Sequence, residues 1–150
     1  MSMKRMDIDI VTKPLVLSLH GITGPVVNHD YAGAGVALMD TLWKEVADKA
    51  LQTAGINHWV YDDAQSIFTA VVLTADPPAE CVLTHRNLVL RQYAYWKHIG
   101  PYSELGNVYD AISDELEARD LRPCHPFVDI YGHWNEDESK LETEIHIGLE

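Results

Sequence analysis

Short apolar runs alternate along this chain with longer stretches in which apolar residues recur every three or four positions, and the sequence of elements occurs twice. Leu15 to His20 is a compact apolar run closed by Gly21, which predicts a strand. Gly21, Gly24, Gly33 and Gly35 with Pro25 predict a loop after it. From Val36 to Ala54 the apolar residues Leu38, Met39, Leu42, Trp43, Val46, Ala47, Ala50, Leu51 and Ala54 make a broad helical stripe, and Gly55 is read as its stop. His58 to Tyr61 and Ser66 to Thr74 read as two strands, with Asp62-Asp63 in the turn between them. Asp76-Pro77-Pro78 then breaks the chain.

The second half repeats the order. Leu88 to His98 reads as one strand rich in aromatic residues, ended by Gly100-Pro101. Ser103 is placed to cap a helix with Leu105, Val108, Tyr109, Ile112 and Leu116 on its apolar side. Pro123 and Pro126 close the connection. Phe127 to Trp134 and Leu141 to Leu149 form a last strand pair around the acidic loop Asn135 to Lys140. The pattern predicts an α+β fold: a strand–helix–strand–strand unit duplicated over residues 13–75 and 88–150, giving one mostly antiparallel sheet with two helices on one face. The 150 residues are enough for one core and read as a single domain. The seam where the copies meet is the natural place for a pocket.

The copies differ in one informative respect. Laying Thr69 on Thr143 puts Glu144 over Ala70 and His146 over Val72. One copy is apolar where the other carries an acid and an imidazole. Strand alternation groups Asp129, Tyr131 and His133 on one face of their strand, and Glu142, Glu144 and His146 on one face of the next. With the two strands adjacent and in matching register, these groups are expected to converge on Glu144.

Composition narrows the function. The formal net charge is −12. Residues 91–150 carry five basic and thirteen acidic groups, and Lys4-Arg5 is the sole adjacent basic pair. A surface that binds DNA needs clustered cations to displace counterions, so direct nucleic-acid binding is not expected. No apolar run reaches the length of a membrane span, and Met1 to Asp9 lacks the apolar middle of a signal peptide, so the chain reads as cytoplasmic. Cys81 and Cys124 then read as reduced. Eight histidines show no spacing that would close a zinc site, and no phosphate or dinucleotide fingerprint is present, so neither metal nor cofactor is expected. Four Trp and seven Tyr against two Phe favour a partly wet cavity, because indole N–H and phenol O–H groups must find partners. Candidate walls are Trp43 and Tyr109 on helices, with Trp59, Phe68, Tyr131 and Trp134 on strands.

Tyr93-Ala94-Tyr95-Trp96-Lys97-His98-Ile99-Gly100-Pro101-Tyr102 resembles the "YAVF-H-x-GPY" segment of GyrI-like small-molecule-binding domains, which are also the effector-binding domains of AraC-type and MerR-type multidrug regulators. Thr143-Glu144-Ile145-His146-Ile147-Gly148-Leu149 is similar to the family's closing "TEIYIPL", and Phe127-Val128-Asp129-Ile130-Tyr131 stands where the family has "x-E-x-Y". The resemblance covers most of the chain and is clearest from Leu88 onward. It implies the duplicated fold and an aromatic pocket with an acid at its base, which in drug-sensing members accepts flat or greasy cations. Carried over by position, Glu144 matches the motif glutamate, Asp129 stands where Glu is frequent, and His146 replaces a frequent Tyr. Gly148 replaces the usual Pro.

Three functions follow as expectations. The first is a stand-alone protein that binds a lipophilic or cationic small molecule, for sensing or sequestration, with Glu144, Asp129, Tyr131 and His146 among its contacts. The second is a small hydrolase of electrophilic molecules using Glu144, as stand-alone relatives of the family imply. The third is an acidic module that meets a basic protein partner, after the family's gyrase-inhibitor name.

Overall fold

Eight strands make one antiparallel sheet whose order is the same from either end once the halves of the chain are treated as copies. The computed structural model describes residues 6–150; Met1 to Arg5, with the Lys4-Arg5 pair and most of the Met1 to Asp9 stretch, lie outside the described residues. The first copy is β1 (Asp9–Val11), β2 (Leu15–Pro25), α1 (Tyr31–Asp48), β3 (Thr53–Asp63) and β4 (Ser66–Leu73). The second is β5 (Thr84–Leu90), β6 (Tyr93–Ile99), α2 (Leu105–Ala118), β7 (Pro123–Tyr131) and β8 (Glu142–Leu149). The strand order is β1-β6-β8-β7-β3-β4-β2-β5, so exchanging copies reverses it onto itself. The local twofold axis runs through the β3–β7 pair. No helix among the described residues is long and apolar enough to cross a membrane.

One predicted strand is broken in two, and its counterpart in the first copy is preceded by a short strand that was not expected. Leu88 to His98 is divided at Arg91-Gln92 into β5 and β6, and β1 precedes β2 in the same way. β2 pairs with β5 from Leu15↔Leu90 to Gly21↔Thr84, while β1 pairs with β6 from Val11↔Tyr93 to Asp9↔Tyr95. Two bent strands therefore run beside each other and tie the ends of the sheet together. The curl this imposes buries a face that no helix covers. Leu19, Val60, Phe68, Ala70 and Val128 are almost wholly inaccessible there and form one core with Leu88, Leu90 and Tyr93.

Both helices lie on the other face. Leu42 of α1 packs on Val71 and Leu83, while Ile112 and Leu116 of α2 pack on Ala94, Ile145 and Ile147. Each helix ends alike. Ala50 and Asp120 take positive φ, and the N–H groups of Leu51 and Leu121 return to the carbonyls of Val46 and Leu116.

Several boundaries differ from expectation. β2 runs on through Gly21 and Gly24 to Pro25, and α1 begins at Tyr31, so Gly33 and Gly35 are helical. Gly21 lies in the strand because a Cβ there would overlap the Thr69 carbonyl of β4. Asp30, whose carboxylate accepts the Gly33 N–H, caps the helix early. Gly55 lies at a bulge within β3, with φ of +80°, and is not the helix stop. The β3–β4 turn is at Ala64-Gln65, where Asp63 accepts the Gln65 N–H at 2.7 Å. Ser103 is inside a short 3-10 turn, Tyr102–Glu104, and makes no cap.

Candidate functional site

The axis strands β3 and β7 face the gap between the helices with alternate side chains. Register pairs Trp59 with Asp129 and Tyr61 with Phe127. Asp129 pairs with Ile145 on β8, and Ile145 packs under α2. Asp129, Tyr131, Trp59 and Tyr61 are thus all on the helix-bearing face. The Asp129 carboxyl is 1% exposed. It accepts hydrogen bonds from the phenols of Tyr109 on α2, Tyr61 at 3.0 Å and Tyr131 at 3.2 Å. Among the described residues no Lys, Arg or His forms an ion pair with it.

Rings surround this acid. Trp59 meets Tyr131 edge-on at 5.2 Å, and Tyr102 meets Tyr131 at 5.3 Å. Tyr61 sits edge-on to Tyr31 at 5.7 Å and to Tyr109 at 6.4 Å. The Trp59 indole N–H and the hydroxyls of Thr69 and Thr143 are buried there without hydrogen-bond partners. The two threonines are sister residues, paired with Trp59 and Tyr131.

Burial pushes the Asp129 pKa up to about 6, while the three phenols donating to it pull the other way. Burial and the neighbouring carboxylate push Tyr61, Tyr109 and Tyr131 well above the ordinary phenol value, so each stays a donor near neutrality. The arrangement is a desolvated carboxyl poised to lose its proton, held by neutral donors and bounded by π faces.

The expected convergence on Glu144 does not occur. Glu144 pairs with Ile130, one residue out of step with Asp129, so the two acids point to opposite faces. Glu144 lies on the concave face and accepts the Tyr95 hydroxyl at 2.5 Å. His146 is on that face too, buried against Tyr93 and Tyr95, with Nδ1 at 3.1 Å from the Val128 carbonyl. Burial lowers its pKa, which favours the neutral ring. Phe68 belongs to the concave core, stacked under Arg86 at 4.7 Å. Trp43 donates to the Asn57 side chain at 2.7 Å and packs in the cluster beneath α1. Trp134 is 73% exposed beyond the end of β7. Asp129, Tyr131, Tyr109 and Trp59 are therefore the expected residues that meet in the seam. Tyr61, Tyr31 and Tyr102 join them. Tyr61 was visible through its two-residue spacing from Trp59, and Tyr102 lies in the Gly100-Pro101-Tyr102 segment; nothing in the local pattern marks Tyr31.

No protein-family model matches the sequence, and no curated protein does. Solved structures do match. The chain is similar to SAV2435 bound to tetraphenylphosphonium, with a TM-score of 0.65, 18% identity, and 97% of this chain and 94% of that chain covered. It is similar to the C-terminal domain of EcmrR, with a TM-score of 0.73, 17% identity, and 97% and 99% covered. It is also similar to a hydrolase from Listeria innocua, with a TM-score of 0.59, 12% identity, and 97% and 93% covered. At these identities the likeness establishes the fold. That fold, built from two strand–helix–strand–strand units, is the one implied by the resemblance to GyrI-like domains.

Proposed function

We propose that this protein binds a lipophilic organic cation in the seam between α1 and α2, with Asp129 as the counter-charge. One observation carries the reading: a carboxyl buried to 1% exposure has three phenol donors and, among the described residues, no cation to neutralise it. A buried unpaired carboxylate is costly, and a bound cation removes that cost. The ring cluster supplies faces for the cation, each contributing about 0.5–2 kcal/mol once desolvated. The similar structure that holds tetraphenylphosphonium supports this ligand class. Entry needs the tyrosines to part, since they fill the space above the acid. The net charge of −12 raises the local concentration of cations around the protein.

Titration with tetraphenylphosphonium tests the proposal. Saturable binding and a raised melting temperature are expected, lost in Asp129→Asn and kept in Glu144→Gln. Equal binding by Asp129→Asn, or no thermal response to a varied panel of lipophilic cations, would overturn it.

A second reading has its own support. A carboxyl with a pKa of about 6 suits general acid–base catalysis near neutrality, and one similar structure is described as a hydrolase. In that reading Asp129 takes the catalytic part first assigned to Glu144. Turnover of an electrophilic substrate that disappears in Asp129→Asn, with an acid limb near pH 6, would select it.

A further inference from the structure

At the outer strands the two halves of the sheet differ again, on the helix-bearing face. β2 sets His20 opposite Val71 of β4 and opposite His85 of β5. In the other half Trp96 stands opposite Ile145, the sister of Val71, and packs with Ile8 and Ala94 beneath α2. Trp96, Ile8 and Ala94 are the counterparts of His20, His85 and Ser18. One half is closed by apolar side chains where the other presents two imidazoles and a hydroxyl, so the fold itself does not call for the histidines. The imidazoles form a facing pair, with ring centroids 4.6 Å apart and planes inclined by 20°. Ser18 Oγ lies 2.9 Å from His85 Nε2, and Nδ1 of His20 is buried without a hydrogen-bond partner. Among the described residues neither histidine belongs to an ion pair. A hollow of about 330 Å³ adjoins the two rings, and its lining includes Ser18, Leu73, Thr74 and Asp76.

We infer that His20 and His85 form a binding site for a late first-row divalent transition ion, of the Zn²⁺ or Ni²⁺ kind. Imidazole nitrogen suits these ions, whereas Mg²⁺ and Ca²⁺ take oxygen ligands. Two nitrogens held at about 2.0–2.1 Å from one ion stand about 3 Å apart, a separation that a small inward tilt of the stacked rings supplies. Coordination gives the buried nitrogen of His20 the partner it lacks. Asp76 in the lining adds negative charge, which favours a cation there over an anion. Among the described residues no three His, Cys, Asp or Glu side chains already converge on one point, so the pair supplies two nitrogens and water completes the shell. The lack of a zinc spacing along the sequence has no bearing on such a pair, because it is assembled across the β2–β5 register from opposite copies. β4 and β3, with Leu42 of α1 packed on Val71, stand between this site and Asp129, so the inference is independent of the seam proposal.

The test is titration of the full chain with zinc chloride, followed by the imidazole resonances of the isotopically labelled protein and by calorimetry. A Cys124→Ser background removes the exposed thiol as a competing ligand. Saturable one-to-one binding is expected, with the ring signals of His20 and His85 moving first and those of the other six histidines later or not at all. His20→Phe and His85→Phe keep a flat ring in the stack and remove its nitrogens. Each should weaken binding by more than the roughly 10–100-fold that loss of an outer-shell partner costs. Asp129→Asn should leave the affinity unchanged, and magnesium chloride should neither shift these rings nor compete. First shifts at other histidines, an affinity unchanged in both phenylalanine variants, or displacement by magnesium would each overturn the inference. The ring shifts of the protein with both histidines intact decide the matter even where a variant fails to fold.

Discussion

Asp129 is the residue on which stability and binding meet. Its folded pKa is raised from 3.8 to about 6. Below pH 4 both folded and unfolded chains hold the proton, and the group costs nothing. Between pH 4 and 6 the unfolded chain releases it while the folded chain retains it, so stability falls as pH rises. A shift of about two units corresponds to about 3 kcal/mol. Asp129→Asn should remove this slope, so chemical denaturation of the wild type from pH 4 to 7 should show a decline that the variant lacks. Binding should respond in the opposite sense. With only about a tenth of the carboxyl ionised at pH 5, the apparent affinity for tetraphenylphosphonium should be about tenfold weaker than its plateau above pH 7. At this scale the sequence was half legible. Asp129, Tyr131, Tyr109 and Trp59 could be named, but which acid faces the rings depends on whether β8 aligns Ile145 or Glu144 with Asp129. A slip of one residue exchanges every side chain between faces, and pattern alone does not fix it.

Elements were easier to place than their ends, and the glycines show why. Gly33 and Gly35 read as breakers, yet both lie in α1. Gly35 is there because the Trp59 ring rests against its backbone where a Cβ would stand. Local propensity has given way to tertiary packing, which no local pattern reveals. Gly35→Ala should therefore destabilise the protein by about 1–3 kcal/mol through overpacking, although alanine is the better helix former. It should also weaken cation binding in the seam by displacing Trp59. A lowered denaturation midpoint at unchanged slope would show the first effect, and calorimetric titration the second. The helix ends show a different device. Glu45 bonds Lys49 and accepts the Val82 N–H at 2.8 Å, while its counterpart Glu115 bonds Arg119, which reaches the carbonyls of Met6 and Ile8. In each copy an acid and a base at i,i+4 fasten the segment leading into an edge strand. Glu45→Ala should accelerate hydrogen exchange at the Val82 amide while leaving that of the β3–β7 pair slow.

Duplication gave the whole molecule its architecture and was legible from the repeated order of elements. The bending of β1–β2 and β5–β6 was not, because Lys13-Pro14 and Arg91-Gln92 interrupt strands that continue on the far edge of the sheet. That interleaving has a consequence for folding. β1 finds its partner in β6, β2 in β5, and β3 in β7, so three of the seven strand pairings cross between copies. The concave core likewise takes Leu19, Val60 and Phe68 from one copy and Tyr93 and Val128 from the other. A fragment of residues 1–76 would expose the β3 and β2 edges together with half of that core. It has the elements of a domain and lacks the contacts that bury them. Fragments 1–76 and 77–150 should each remain unfolded as monomers and recover the sheet when mixed in equal amounts. Circular dichroism with analytical ultracentrifugation would decide the matter. A folded monomeric half would mean that each copy closes its own core, against the cross-copy pairing on which this architecture depends.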